Sequence, residues 1–498
     1  MTATIKSNLP VFVVIMPLFV AFVLPTFARR IRLVEGLVTA TTALGFLGAG
    51  YLASLILIQN GNPINYSLGG WSAPWGIEIQ VSNLSCFFLL MVAGVSLPIA
   101  LFAADNMTHE VGGPQQTTRF YALYLLLGGA LAGMAVTSDL FNVFVLVEVA
   151  TLSCCGLVSS SNHPWASEAA FNYLILATLG SALILGGIGF LYIITGHLNM
   201  EFASHELNRV WQGYPHVVWI AASFLLVGFG VKSALFPLHV WLPDAHSAAP
   251  SPASAILSGL AVKGYAICLI KVLYNVFGIA LIQDFGIHRI LTLLGMIAII
   301  AGSVFALTQD KLKRRLAFST VAQVGYIFLG LGLANSQSLT GMLFHMASHA
   351  VIKSGLFLAA GAIIATTGKN RISEMAGVGR KMPITMAVFT ICSVSLVGIP
   401  LFSGFVGKWH LLLGSLEAGN RLAQAVIIVG SVLCAAYLFP IIRVAYFEPT
   451  PVADCRDPGL PQMIALIMLA AWVIILGVVP GPFLELAKRA AIDLLVMK

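Results

Sequence analysis

Charge is what this sequence has least of. Only 9% of its 498 residues are Asp, Glu, Lys or Arg, while 59% are hydrophobic. A water-soluble domain carries about 25% charged residues. A soluble globular fold is therefore excluded, and lipid is the solvent. The marks of cofactor chemistry are also missing. The seven cysteines form no CxxC pair and have no His-rich ligand spacing, so they read as small core residues. There is no Gly-rich nucleotide loop, no cluster-cysteine pattern and no paired haem histidines. No cofactor and no metal is expected. The net charge of +7 sits in short loops, where it orients helices, so nucleic-acid binding is the weaker reading. The apolar run Leu9–Phe27 has no basic n-region ahead of it, and Arg29, Arg30 and Arg32 follow it. It reads as an anchored first helix, not a cleaved signal peptide.

What is there is apolar runs of bilayer length, about fourteen of them. The expected fold is all-α, a polytopic membrane protein. Alternation from an outside N-terminus puts the basic clusters Arg29–Arg32, Lys311–Arg315 and Lys369–Lys381 in cytoplasmic loops, and both termini outside. Lys271, Lys488 and Arg489 fall in loops of the opposite side. Weak self-similarity at an offset of about 172 residues aligns FNYLILATLGSALILGGIGFLYIITG with LFHMASHAVIKSGLFLAAGAIIATTG. It suggests two inverted five-helix repeats within a single membrane domain. Residues 1–118 would hold spans 1–3, and residues 119–280 the first repeat, spans 4–8. Residues 281–450 would hold the second repeat, spans 9–13, and residues 451–498 the last span.

Five charges lie inside spans: Glu148, Lys232, Lys263, Lys353 and Lys408. Each costs about 2.5–3.5 kcal/mol at a helix centre on insertion scales, so each needs a partner, water or a purpose. Two spans carry break signals. Pro237 cannot donate to the carbonyl of Ser233, which opens the helix close to Lys232. Gly398, Pro400, Gly404 and Gly407 precede Lys408. Interrupted helices in corresponding places of two halves point to a transport site.

In the eleventh span His345, His349 and Lys353 recur at i, i+4 and i+8, on one helix face and over about 12 Å. Ser348 and Ser354 lie near that stripe. Titratable groups so spaced can relay protons through water; the plainer reading is a polar seam that glues helices. Glu148 and Lys232 are the natural ion pair. Burial disfavours a charged amine and a nearby carboxylate favours it, so movement of Glu148 could load or release a proton on Lys232. The alternative is a salt bridge that only fixes packing. Lys263 reads as the next acceptor, or as a snorkelling lysine, and Lys408 as the far terminus. His239, Asp244 and His246 could line a cytoplasmic entrance or cap broken helix ends.

Several segments resemble the antiporter-like proton-translocating subunits of respiratory complex I and of Mrp-type sodium/proton antiporters. They are DLFNVFVLVEVATLSCCGL, KSALFPLHVWLPDAHSAAPSPASAILSGLAVKGY, DKLKRRLAFSTVAQVGY, LFHMASHAVIKSGLF and PLFSGFVGKW. The resemblance covers nearly the whole chain. It implies that Glu148 matches the family's glutamate of span 5, Lys232 and Lys263 its lysines of spans 7 and 8, and Lys408 its span 12 lysine. SLGGWSAPWGIEI and the span 12 lysine are most similar to the D-type subunit of Mrp antiporters; membrane-bound hydrogenases carry similar subunits. Two departures concern the tuning of the Glu148–Lys232 pair: Ser82 stands where an aspartate is frequent, and Asn172 where a basic residue is frequent. The implied partners are other membrane subunits of a multisubunit complex, protons with sodium open, and the lipid of a bacterial or archaeal plasma membrane. Three functions compete: proton-conducting subunit of an antiporter, the same module in a redox-driven complex, and a structural membrane scaffold.

Overall fold

A computed structural model describes residues 2–104, 107–449 and 455–496. Both chain ends and the 450/451 boundary lie outside these residues. Helices make up 82% of the chain, as a bilayer demands, because a helix satisfies its backbone polar groups within one segment. The first half runs α1 (Thr2–Val23), α2 (Ile31–Ile58), α3 (Asn83–Ala103), α4 (Pro114–Val136), α5 (Leu140–Ser159) and α6 (Ala166–Thr195). α7 (Pro215–Lys232) and α8 (Trp241–Ala248) follow, then α9 (Ser251–Asp284). The second half runs α10 (Ile287–Leu307), α11 (Leu312–Leu333), α12 (Ser336–Thr367), α13 (Pro383–Val397), α14 (Ser403–Glu417), α15 (Arg421–Phe447), α16 (Leu460–Val478) and α17 (Gly481–Val496). Among the described residues, 13 helices are long and apolar enough to cross a membrane. α13 is a shorter apolar helix, and α14 follows it across a break.

Helix ends are fixed by local chemistry. Ser82 caps α3 by accepting from the Ser85 amide. Asp139 caps α5 by accepting from the Asn142 amide at 2.7 Å. Asn335 and Ser338 form a reciprocal capping box at α12. The most enclosed span is α11, with 94% of its apolar window buried, against 28% for the first span. α3, α9, α11 and α12 therefore form the centre, and α1, α2 and α16 the periphery. Glycine seams let two helix pairs approach closely. A Cβ added to Gly228 of α7 would sit 2.7 Å from the Gly180 carbonyl oxygen of α6, and one added to Gly407 of α14 would sit 2.7 Å from His345 Cα of α12.

Both expected breaks are present. α7 stops at Lys232, and residues 233–240, with Pro237, are not α-helical before α8. α13 stops at Val397, and residues 398–402 cross Pro400, with Gly398 at φ 97° and Leu401 at φ 74°. Two elements were not foreseen. An antiparallel hairpin pairs Ile64–Ser67 with Glu78–Val81. The region 451–498 holds α17 besides its span; Phe483 of α17 packs on Phe87 and Phe344.

Candidate intramembrane polar site

The last residue of α7, Lys232, is fully buried. Its Nζ donates to Thr151 Oγ1 at 2.6 Å and to Glu148 Oε1 at 3.4 Å, and lies 5.9 Å from the Tyr265 ring centre. Thr151 is one helical turn beyond Glu148, so α5 presents both to the lysine. The Ser181 hydroxyl of α6 also donates to Glu148. The expected ion pair is therefore present, with one correction. Glu148 is not deeply buried: its side chain is 32% exposed. α5 is apolar around its circumference, and Phe141, Val145 and Leu152 flank Glu148 on an open face.

The central groups lie on α9, α11 and α12. Lys263, His345, His349 and Lys353 are all buried. Lys263 donates to the Ser258 carbonyl of its own helix, where the π-helical turn Leu257–Ala261 widens the backbone. Lys353 donates to the Leu316 carbonyl at 2.7 Å and to the Ser319 hydroxyl of α11. The two histidine rings stack with centroids 5.9 Å apart. None of their four ring nitrogens has a hydrogen-bond partner in the protein. Lys263 and Lys353 both lie within electrostatic reach of His349. The Tyr326 ring touches His345 at 5.3 Å and carries Lys408 Nζ at 4.9 Å.

Lys408 follows its break, whereas Lys232 precedes its own. Its Nζ reaches back to the end of α13, donating to the Leu396 carbonyl at 2.8 Å, the Val397 carbonyl at 3.1 Å and Ser431 Oγ at 3.2 Å. The residues around the first break separate. His239 is enclosed by Phe236, Phe305 and Phe318. Asp244 is half-exposed and pairs with Arg314 at 2.9 Å. His246 is buried, stacked on Phe357 and near Lys353 and Lys263. A cavity of about 240 Å³ lined by Ser247, Ala249, Glu110, Lys311 and Lys313 opens at the joint between α8 and α9.

A sixth intramembrane charge was missed. Lys271 is not in a loop: it is buried within α9, and donates to the carbonyls of Met134, Ala135 and Thr137 at the C-terminal end of α4. A lysine there satisfies orphan carbonyls and the helix dipole together. Thr151 and Ser181 were missed too; Thr151 has a signal in its spacing from Glu148. Neither departure noted in the sequence bonds to the Glu148–Lys232 pair: Ser82 caps α3, and Asn172 is exposed on α6. Among the described residues, no group of three His, Cys, Asp or Glu side chains is placed to hold a metal.

Known proteins resemble this chain in sequence and in fold. The N-type subunit of the NADH-quinone oxidoreductase of Desulforudis audaxviator is 37% identical over 489 residues, 95% of this chain and 96% of that one. The D-type subunit of the Na(+)/H(+) antiporter of Bacillus subtilis is 28% identical over 95% of this chain and 94% of that one. Among solved structures, a chain of the membrane-bound sulfane sulfur reductase, an archaeal respiratory membrane complex, superposes with a TM-score of 0.90 at 30% identity, covering 98% and 97% of the two chains. A chain of the Mrp complex from Dietzia sp. DQ12-45-1b superposes with 0.89 at 26% identity, covering 99% and 98%. Residues 137–434 match the NADH:quinone oxidoreductase/Mrp antiporter transmembrane family, and with that match the chain belongs to this family of multi-pass, antiporter-like membrane subunits.

Proposed function

We propose that this chain is the proton-translocating membrane subunit of a multisubunit cation/proton antiporter, similar to the D-type subunit of Mrp antiporters. One observation carries the reading: buried basic groups extend from Lys232 through Lys263 and the α12 stripe of His345, His349 and Lys353 to Lys408, and both end lysines sit at breaks in broken helices. Buried charge at helix breaks inside the bilayer is costly and marks ion pathways. Protons enter from the cytoplasmic side, where the cavity at the α8–α9 joint approaches His246. Asp244 flanks that mouth through Arg314, as a tie between α8 and α11. Glu148 tunes Lys232, and Lys408 is the terminus towards the outside. The five-helix units 119–280 and 281–450 would each supply one half-channel.

The partly open face of α5 supports assembly with a neighbouring membrane subunit, because a carboxylate facing hydrocarbon is expensive. The setting is the plasma membrane of a bacterium or archaeon, with the basic clusters inside and both termini outside. A redox-driven host complex is the second reading, favoured by the 37% identity to a quinone oxidoreductase subunit. In either host the driving force comes from neighbouring subunits.

Proton transport by the intact complex in everted membrane vesicles tests the reading. Lys232→Ala is expected to assemble and to abolish transport. A variant that transports at the full rate would show the polar groups to be a scaffold's packing seam. The subunits that co-purify with the chain separate an antiporter from a redox complex.

A further inference from the structure

α11 carries a stripe that the basic series does not include. Ser319, Gln323 and Tyr326 recur at i, i+4 and i+7, so they share one face over about 10 Å. All three are buried. The two ends of the stripe meet two lysines: Lys353 donates to Ser319, and Lys408 lies over the Tyr326 ring. Tyr437 and Cys434 of α15 face the middle. The Tyr437 hydroxyl lies beside Gln323 and Cys434 without a hydrogen bond of normal geometry to either. Cys434 is within electrostatic reach of both Lys353 and Lys408. Gln323 Oε1 and Tyr437 Oη are both buried without a hydrogen-bond partner in the protein. Buried polar atoms in folded proteins are almost always hydrogen-bonded, to protein or to ordered water. Two such atoms placed between two lysines have little use in packing alone.

We infer that Gln323 and Tyr437 form a second connection between Lys353 and Lys408, parallel to the one through His349 and His345. Neither residue needs to titrate. Each offers a donor and an acceptor, and with hydrogen-bonded water they join the Ser319 end of the stripe to the Tyr326 end. They are positioning residues for proton movement between the two lysines. The inference rests on the proton-translocating reading above.

The test is the cycle Gln323→Leu, His349→Ala and the double variant, measured as proton transport by the intact complex in everted vesicles. Leucine keeps about the volume of glutamine and none of its hydrogen bonds. Two parallel routes predict that each single variant keeps a measurable fraction, falling about fivefold, and that the double variant falls by far more than the product of the two. Gln323→His should restore transport in the His349→Ala background, which a packing role would not do. Should Gln323→Leu fail to assemble, Tyr437→Phe removes a single oxygen and takes its place in the cycle. The inference is overturned if His349→Ala alone abolishes transport, or if the double variant transports as well as His349→Ala. Lys232→Ala separates this failure from that of the reading beneath it: if that variant is inactive while the cycle shows no coupling, only the second connection is lost.

Discussion

Lys232 and Lys408 both sit at the break of a membrane helix, yet their charges are held by different means. Lys232 has a carboxylate, a hydroxyl and a ring: Glu148, Thr151 and Tyr265. Lys408 has two backbone carbonyls, a hydroxyl and a ring: Leu396, Val397, Ser431 and Tyr326. The reason lies in what each break leaves over. A helix that stops leaves its last carbonyls without partners. At the end of α7 two of these are already taken. The Trp241 indole donates to the Val231 carbonyl at 2.8 Å, and the Leu235 amide to that of Gly230 at 2.9 Å. The lysine there needs an outside anion. At the end of α13 the carbonyls of Leu396 and Val397 are available to the ammonium. Fixed backbone dipoles can stabilise a charge but cannot move away from it. A glutamate on a partly open helix face can. On the proposed reading the first site is the adjustable one, and the second a fixed receptor.

The largest expected effect tests that difference directly. Glu148→Gln leaves Lys232 as a buried cation without a counter-ion, a change of about 3–5 kcal/mol, and transport in everted vesicles should fall more than a hundredfold. Ser431→Ala removes one of three hydrogen bonds at Lys408, with both carbonyls still in place. It should cost about 1 kcal/mol and lower transport by less than tenfold. Equal losses in the two variants would erase the distinction between an adjustable and a fixed site.

The two sites also differ in how much of each was legible in the sequence. Lys232, Lys263, Lys353 and Lys408 stand out because a charge inside an apolar run has no ordinary explanation. Pro237 and Pro400 announce the breaks because proline removes a donor. Lys271 is hidden by its place near the end of its run, where a loop and a helix look alike. Only the end of α4, which no local pattern reveals, makes it a buried group. The outward face of Glu148 is hidden because α5 is apolar all round, so periodicity cannot say which side the bundle covers. Ser319, Gln323 and Tyr326 are polar without charge. Their cost in lipid is modest, and they do not stand out until the two lysines are seen at the ends of the stripe. The hairpin strands are four residues each, too short for their pattern to stand out in the sequence.

Packing gives the next effect. α14 reaches His345 because Gly407 has no side chain, and a Cβ there would sit 2.7 Å from His345 Cα. Gly407→Val should cost about 1–3 kcal/mol by overpacking, seen as a lower melting temperature of the purified complex. It should also reduce transport, because the Lys408 helix is displaced from the histidine pair. Gly228→Val overpacks the first site to the same degree. There the adjustable carboxylate can follow the lysine, so its transport loss should be the smaller of the two. The reverse order would place the fixed receptor at Lys232. Tyr326→Leu follows in size. It removes a cation–π contact worth about 1–2 kcal/mol when desolvated, and should slow transport several-fold while the carbonyls keep Lys408 in place. A loss as large as that of Glu148→Gln would mean that the ring, not the backbone, holds that charge.

Asp244→Asn should have the smallest effect, and its size decides what the first break needs. Asp244 lies on α8 beyond the break, and its carboxylate meets Arg314 of α11 at 2.9 Å with both side chains more than a third exposed. An exposed ion pair contributes about 0.2–1 kcal/mol, less in salt. If its role is to tie α8 to the second half, Asp244→Asn should lower the melting temperature slightly and leave the transport rate within about twofold. That residual dependence should vanish at high ionic strength. His246, buried two residues on, gains nothing from salt and would keep its role. A tenfold loss of transport in Asp244→Asn, unaffected by salt, would make the carboxylate a proton acceptor at the mouth. The first break would then use two acids, Glu148 at Lys232 and Asp244 at the mouth, against none bonded to Lys408 among the described residues.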